Sequence, residues 1–109
     1  MSRPLRILAR ARTDVEDIFN WLVVRSATGA VSWYAAFVRT MEKMRSDPES
    51  YGLAPESHVL RRELRQALFK TPRGRRYRII FLLDVNEVIV LRVRGPGQAP
   101  LRRRDLPSE

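Results

Sequence analysis

The chain has 109 residues, 44% of them hydrophobic, and carries 21 Lys+Arg against 12 Asp+Glu for a net charge of +9, which fits one folded, cationic domain of ordinary size. With no cysteine and a single histidine, His58, disulfides and thiol chemistry are excluded, and histidine metal clusters or His-dependent triads are argued against. No apolar run reaches the ~20 residues of a membrane span and no signal-peptide core opens the chain, so a cytoplasmic protein is expected, with no membrane partner.

Leu5, Ile7 and Ala9 alternate with Arg6, Leu8 and Arg10, which predicts a short strand. Thr13-Asp14-Val15-Glu16 has the form of a capping box, with Asp14, Glu16 and Asp17 in the first turn of the helix it would open. Val15, Ile18, Phe19, Leu22 and Val23 follow as an apolar helical stripe, and the helix is expected to stop before Gly29. A second helix, opened by Thr28 or Gly29, carries Ala30, Tyr34, Phe37, Val38, Met41 and Met44 on one face and ends at Asp47-Pro48. Two amphipathic helices so closely joined predict an antiparallel hairpin.

Residues 47–58 read as a loop, and three strands follow over 63–70, 76–84 and 87–94. The first strand ends in Thr71-Pro72-Arg73-Gly74, the composition of a type I turn. Its register is open between Leu64/Leu68 and Ala67/Phe69, and a bulge is expected there. In the second, Tyr77, Ile79, Phe81 and Leu83 share one face and Arg76, Arg78, Ile80 and Leu82 the other. In the third, Ile89, Leu91 and Val93 oppose Val88, Val90, Arg92 and Arg94. The expected fold is α+β, in the order β-α-α-β-β-β, with the helical hairpin packed on one face of a mostly antiparallel four-stranded sheet. The domain is expected to span 1–109, with a core over about 3–95 and a C-terminal tail over 96–109 in which Arg102-Arg103-Arg104 form a solvated basic run.

The charge is lopsided. Residues 61–109 hold 13 Lys+Arg against 5 Asp+Glu, a net of +8, whereas residues 1–60 hold 8 against 7, a net of +1. Of the cations, 19 are arginine; only Lys43 and Lys70 are lysine. Arginine's planar fork grips phosphate or carboxylate bidentately. A sheet face edged with arginine is an electrostatic footprint for a polyanion or an acidic partner.

Glu63-Leu64-Arg65, then Arg76-Tyr77-Arg78-Ile79-Ile80-Phe81, then Val88-Ile89-Val90-Leu91, set behind a helical hairpin, resemble the RelE/ParE superfamily of type II toxin–antitoxin toxins, the plasmid-stabilisation proteins. The resemblance covers about residues 3–95. It implies growth inhibition, either by cleavage of ribosome-bound mRNA, as in RelE-like members, or by inhibition of DNA gyrase without nuclease action, as in ParE-like ones. It also implies a cognate antitoxin, small, acidic and partly disordered, which would cover the cationic sheet face and fold as it binds. No cofactor is implied.

By the same resemblance Arg78 is the arginine that faces the scissile phosphate in the nucleases, where a guanidinium stabilises the developing phosphorane. Glu63 is the candidate base, or else an ion-pair partner of Arg61, Arg62 or Arg65. Arg65 is a candidate catalytic phosphate grip, and Arg61, Arg62, Arg76, Arg92 and Arg94 are candidate nucleic-acid or partner contacts. Arg78 could instead be a surface residue paired with Glu63 or Glu87. Tyr77 points toward the core, His58 reads as a surface residue, and Trp21 and Trp33 read as helix packing. From Gly95 onward the chain carries no tyrosine or histidine, leaving Glu63 as the base for an endoribonuclease. The alternative from another class is a non-toxic basic binding module.

Overall fold

The computed structural model describes residues 2–107. The chain runs through β1 (Leu5–Ile7), α1 (Ala9–Arg25), α2 (Ala27–Ser46), a 3₁₀ turn (Pro48–Ser50), α3 (Glu56–Leu60), β2 (Arg65–Phe69), β3 (Tyr77–Leu83), β4 (Val88–Arg94) and a last 3₁₀ turn (Arg103–Asp105). The sheet order is β1-β4-β3-β2. β2–β3 and β3–β4 are antiparallel, and β1 lies parallel to β4. This is the α+β architecture expected, with the short α3 added where a loop was read.

The first helix starts a turn before the capping box. Leu8 N–H donates to the Val90 carbonyl at 3.1 Å while the Leu8 carbonyl accepts from Arg12 N–H at 3.0 Å, so strand becomes helix within one residue. No side chain caps this end. Leu8, packed against an apolar cluster on the far side of the sheet, anchors the corner instead. Thr13 therefore falls in the second turn, where its hydroxyl donates to the Ala9 carbonyl. The two helices are separated by Ser26 alone, which ends α1 and caps α2, its Oγ accepting from Gly29 N–H at 3.0 Å.

The bulge sits in β4, not in β2. Ile80 pairs with Arg92 and Phe81 with Val90, leaving Leu91 as the extra residue. A bulge shifts the side-chain alternation, so Val93 joins Val88 and Val90 on the helix face, while Ile89 and Leu91 point the other way. In β2, Ala67 and Phe69 face the helices and Leu68 is exposed.

Two apolar layers result. The helix layer holds Trp33, Phe37, Phe69, Ile79 and Phe81, with Trp33 and Phe37 stacked at a centroid separation of 5.8 Å. The second layer, on the opposite face, is aliphatic: Ala54, Leu60, Leu64, Ile80, Leu91, Leu101 and Leu106. The last two belong to the stretch read as a tail. Ile80 and Leu91 would otherwise expose apolar surface worth about 1.5–3 kcal/mol per side chain, and covering them stabilises the return of the chain. The face expected to be open and cationic is thus closed by residues 54–64 and 101–106.

Candidate functional site

Arg78 projects from β3 toward that second face and is met there by a carboxylate. Its Nη1 donates to Glu56 Oε1 at 2.8 Å and to Gln66 Oε1 at 3.0 Å, and its Nη2 donates to Glu56 Oε2. Glu56, at the start of α3, is 4% exposed. It also accepts from Leu101 N–H at 3.0 Å, so the same carboxylate ties the strand to the returning tail. The hydrogen bonds from Arg78 hold the Glu56 carboxyl down to about 2, against the pull of burial. Neither Glu63 nor Glu87 partners Arg78: Glu63 binds Arg65 and Glu87 binds Arg6.

The neighbouring arginines divide into two sets. Arg92 is 5% exposed and is held by Asp14 of α1 at 2.7 and 2.9 Å, with a further bond from its Nη1 to the Asp105 carbonyl at 3.0 Å. Asp14 also accepts from Val93 N–H at 2.9 Å. Beyond the short β1, this carboxylate serves the edge of β4 in place of a strand. Arg94 donates to the Ala99 carbonyl at 2.8 Å, and burial beside Arg92 lowers its pKa. These two, with Arg78, are spent inside the fold. Arg65 is mostly covered, donating to the Tyr51 carbonyl at 2.6 Å and to Glu63 at 3.1 Å. Glu63 itself stands in solvent, its side chain 70% exposed. Arg61, in the left-handed region at φ 55°, and Arg76 are exposed, and Arg62 is half-buried.

The structure therefore brings Arg78 together with Glu56, Gln66 and the Leu101 amide rather than with Glu63. His58 is exposed on α3. Tyr77 lies in the helix layer against Trp33 and Phe69, and burial raises its pKa. Among the described residues no cluster of histidine and carboxylates could hold a metal ion. Sequence reasoning missed Glu56, Asp14 and Asp105. The available signal was weak: a carboxylate between a proline and an apolar run for Glu56, and an acidic first turn for Asp14.

A groove of about 710 Å³ runs between the helix corner and the β2–β3 turn, lined by Ile18, Leu22, Trp33, Tyr77 and Pro96 among others. Arg25, Arg73 and Arg75 line it with one carboxylate, Asp17. Trp21, expected as helix packing, is instead an exposed indole, with Arg25 3.5 Å over its ring. The buried indole N–H of Trp33 has no acceptor.

Compared with known families, residues 5–100 match the model described as ParE toxin of type II toxin-antitoxin system, parDE. No curated protein matches the chain.

Proposed function

The chain belongs to the ParE toxin family, and from that membership we propose that it arrests growth by binding DNA gyrase in the cytoplasm rather than by cutting ribosome-bound mRNA. The observation that carries this reading is the sealing of Arg78. A ribonuclease needs its phosphate-facing arginine open to substrate, flanked by a base and an acid that each contribute roughly 10²–10⁴-fold. Here Glu56 occupies the guanidinium fork, the Leu101 amide closes over Glu56, and aliphatic side chains fill the surrounding face. Glu63 points to solvent with its charge on Arg65.

The cognate antitoxin of this reading is an acidic segment with apolar anchors. The groove at the helix corner suits it better than the sheet face. Apolar walls, a rim of Arg25, Arg73 and Arg75, and the unmet Trp33 N–H match apolar side chains, carboxylates and a carbonyl acceptor.

Induced cells and purified protein test the reading together. Gyrase supercoiling should be inhibited by the purified chain, and the 5′ ends of cellular mRNA should be unchanged on induction. Codon-specific mRNA cuts with normal supercoiling would replace it with the nuclease. Blanks in both assays would leave a non-toxic basic binding module.

A further inference from the structure

We propose that the turn carrying Arg102, Arg103 and Arg104 grips the phosphate backbone of duplex DNA. A run of arginines near a chain end is usually a solvated, mobile stretch. This one is clamped. Leu101 and Leu106, 4% and 9% exposed, are buried on either side of it. The Asp105 carboxylate accepts from Arg102 N–H at 2.7 Å, Asp105 N–H returns to the Arg102 carbonyl at 2.9 Å, and the buried Arg92 donates to the Asp105 carbonyl. The backbone under three consecutive cations is already ordered, so a ligand would not have to bear the cost of ordering it.

The charge on this turn is also unspent. All three arginines are exposed, and the guanidinium groups of Arg103 and Arg104 make no hydrogen bond or ion pair among the described residues. The carboxylates of this region are committed elsewhere: Asp14 to Arg92 and the Val93 amide, Glu56 to Arg78, and Asp105 to the Arg102 amide. Leu8 and Leu60 share the apolar cluster that holds Leu101 and Leu106. Exposed Arg10 and Arg12 just after Leu8, and Arg61 just after Leu60, therefore extend the positive rim around one aliphatic base.

The aliphatic base decides the class of nucleic acid. Proteins that hold single strands stack the unpaired bases on aromatic rings. The layer beneath this turn contains none, because the rings of the core lie on the helix side of the sheet. A rigid set of guanidinium groups without a stacking platform fits the outside of a duplex, where phosphates supply most of the non-specific affinity.

The full-length chain should bind a fluorescein-labelled DNA duplex of arbitrary sequence, with affinity falling steeply as salt rises. Each phosphate contact contributes about 0.9 to the slope of log K against log salt, so Arg103→Ala/Arg104→Ala should lower that slope by about 2 and weaken binding roughly tenfold or more. Arg39→Ala, an exposed cation on α2, should leave both unchanged, and thermal melting checks that each variant is folded. No duplex binding by the wild type at low salt, an unchanged slope in the folded double variant, or tighter binding to single-stranded RNA of equal length would each overturn the assignment. Gyrase is absent from this measurement, so its outcome is separable from that of the supercoiling assay.

Discussion

Glu56 and Arg78 face each other as a fork on a fork, both carboxylate oxygens accepting from the two terminal guanidinium nitrogens across the second apolar layer. The pair joins α3 to β3, and through the Leu101 amide it fastens the returning tail. An arginine that the family resemblance directs at a phosphate is thus used as an internal strut.

Arg78→Ala should therefore act on stability before it acts on any target. Removing one partner of a buried pair strands the other charge, which costs about 3–5 kcal/mol. Adding Glu56→Gln to Arg78→Ala should recover part of that loss. Urea denaturation of the two variants measures it, and a single variant within about 1 kcal/mol of wild type would rule out the strut.

The same pair sets an acid limit. The Glu56 carboxyl titrates at about 2 when folded, below its ordinary 4.5. A depressed carboxylate contributes stability that is fully present above the unfolded value and is lost as pH falls toward the folded one. Wild type should lose melting temperature between about pH 5 and pH 2 more steeply than Glu56→Gln. Parallel melting curves across that window would contradict the assignment.

Asp14→Ala should be among the most damaging single changes. It leaves Arg92 buried without its main partner and removes the acceptor of the Val93 amide. A loss of about 3–5 kcal/mol is expected. Hydrogen exchange at Val93 should rise in the variant even under conditions where the rest of the sheet stays protected.

The two layers can be tested separately. Phe81→Ala and Phe37→Ala, at fully buried positions of the helix layer, should each cost about 3–5 kcal/mol. Leu101→Ala, in the aliphatic layer, should cost about 2–5 kcal/mol. If Leu101→Ala melted like wild type, the tail would contribute nothing to the core.

Much of the fold was legible because periodicity is a local property. The helical stripes and the faces of β3 can be read from residue types at fixed spacing, and the structure agrees with them except at Val23 and Tyr34, which are exposed. The start of α1 was read one turn late because Thr13 and Glu16 form a plausible cap, whereas Leu8 is held by a contact with distant parts of the chain. The Leu91 bulge was missed although β4 carries a mark of it: strict alternation would set Arg92 and Arg94 on the helix face with Val88 and Val90, and only a slip at Leu91 brings Val93 there instead. The candidate site was less legible still. Arginines were easy to find, but which of them are free depends on Glu56, Asp14 and Asp105, acids brought in by other elements. Charge counts report how many cations a segment carries, not how many the fold neutralises.

The position of β1 has a consequence for how the chain is made. Leu5 to Ile7 lie against Val88 to Val90, and β4 is itself an inner strand, flanked by β1 and β3. Synthesis runs from the N-terminus, so the first strand leaves the ribosome with nothing to pair with until the last strand follows it. In the interval the helical hairpin, and after it the β2–β3 pair, can form from local contacts, the kind that assemble fastest. A chain terminated anywhere before residue 88 would lack the strand on which both apolar layers are built. Truncated products should therefore be unable to assemble the four-stranded sheet, and a partner acting during translation would meet the bare helical hairpin first.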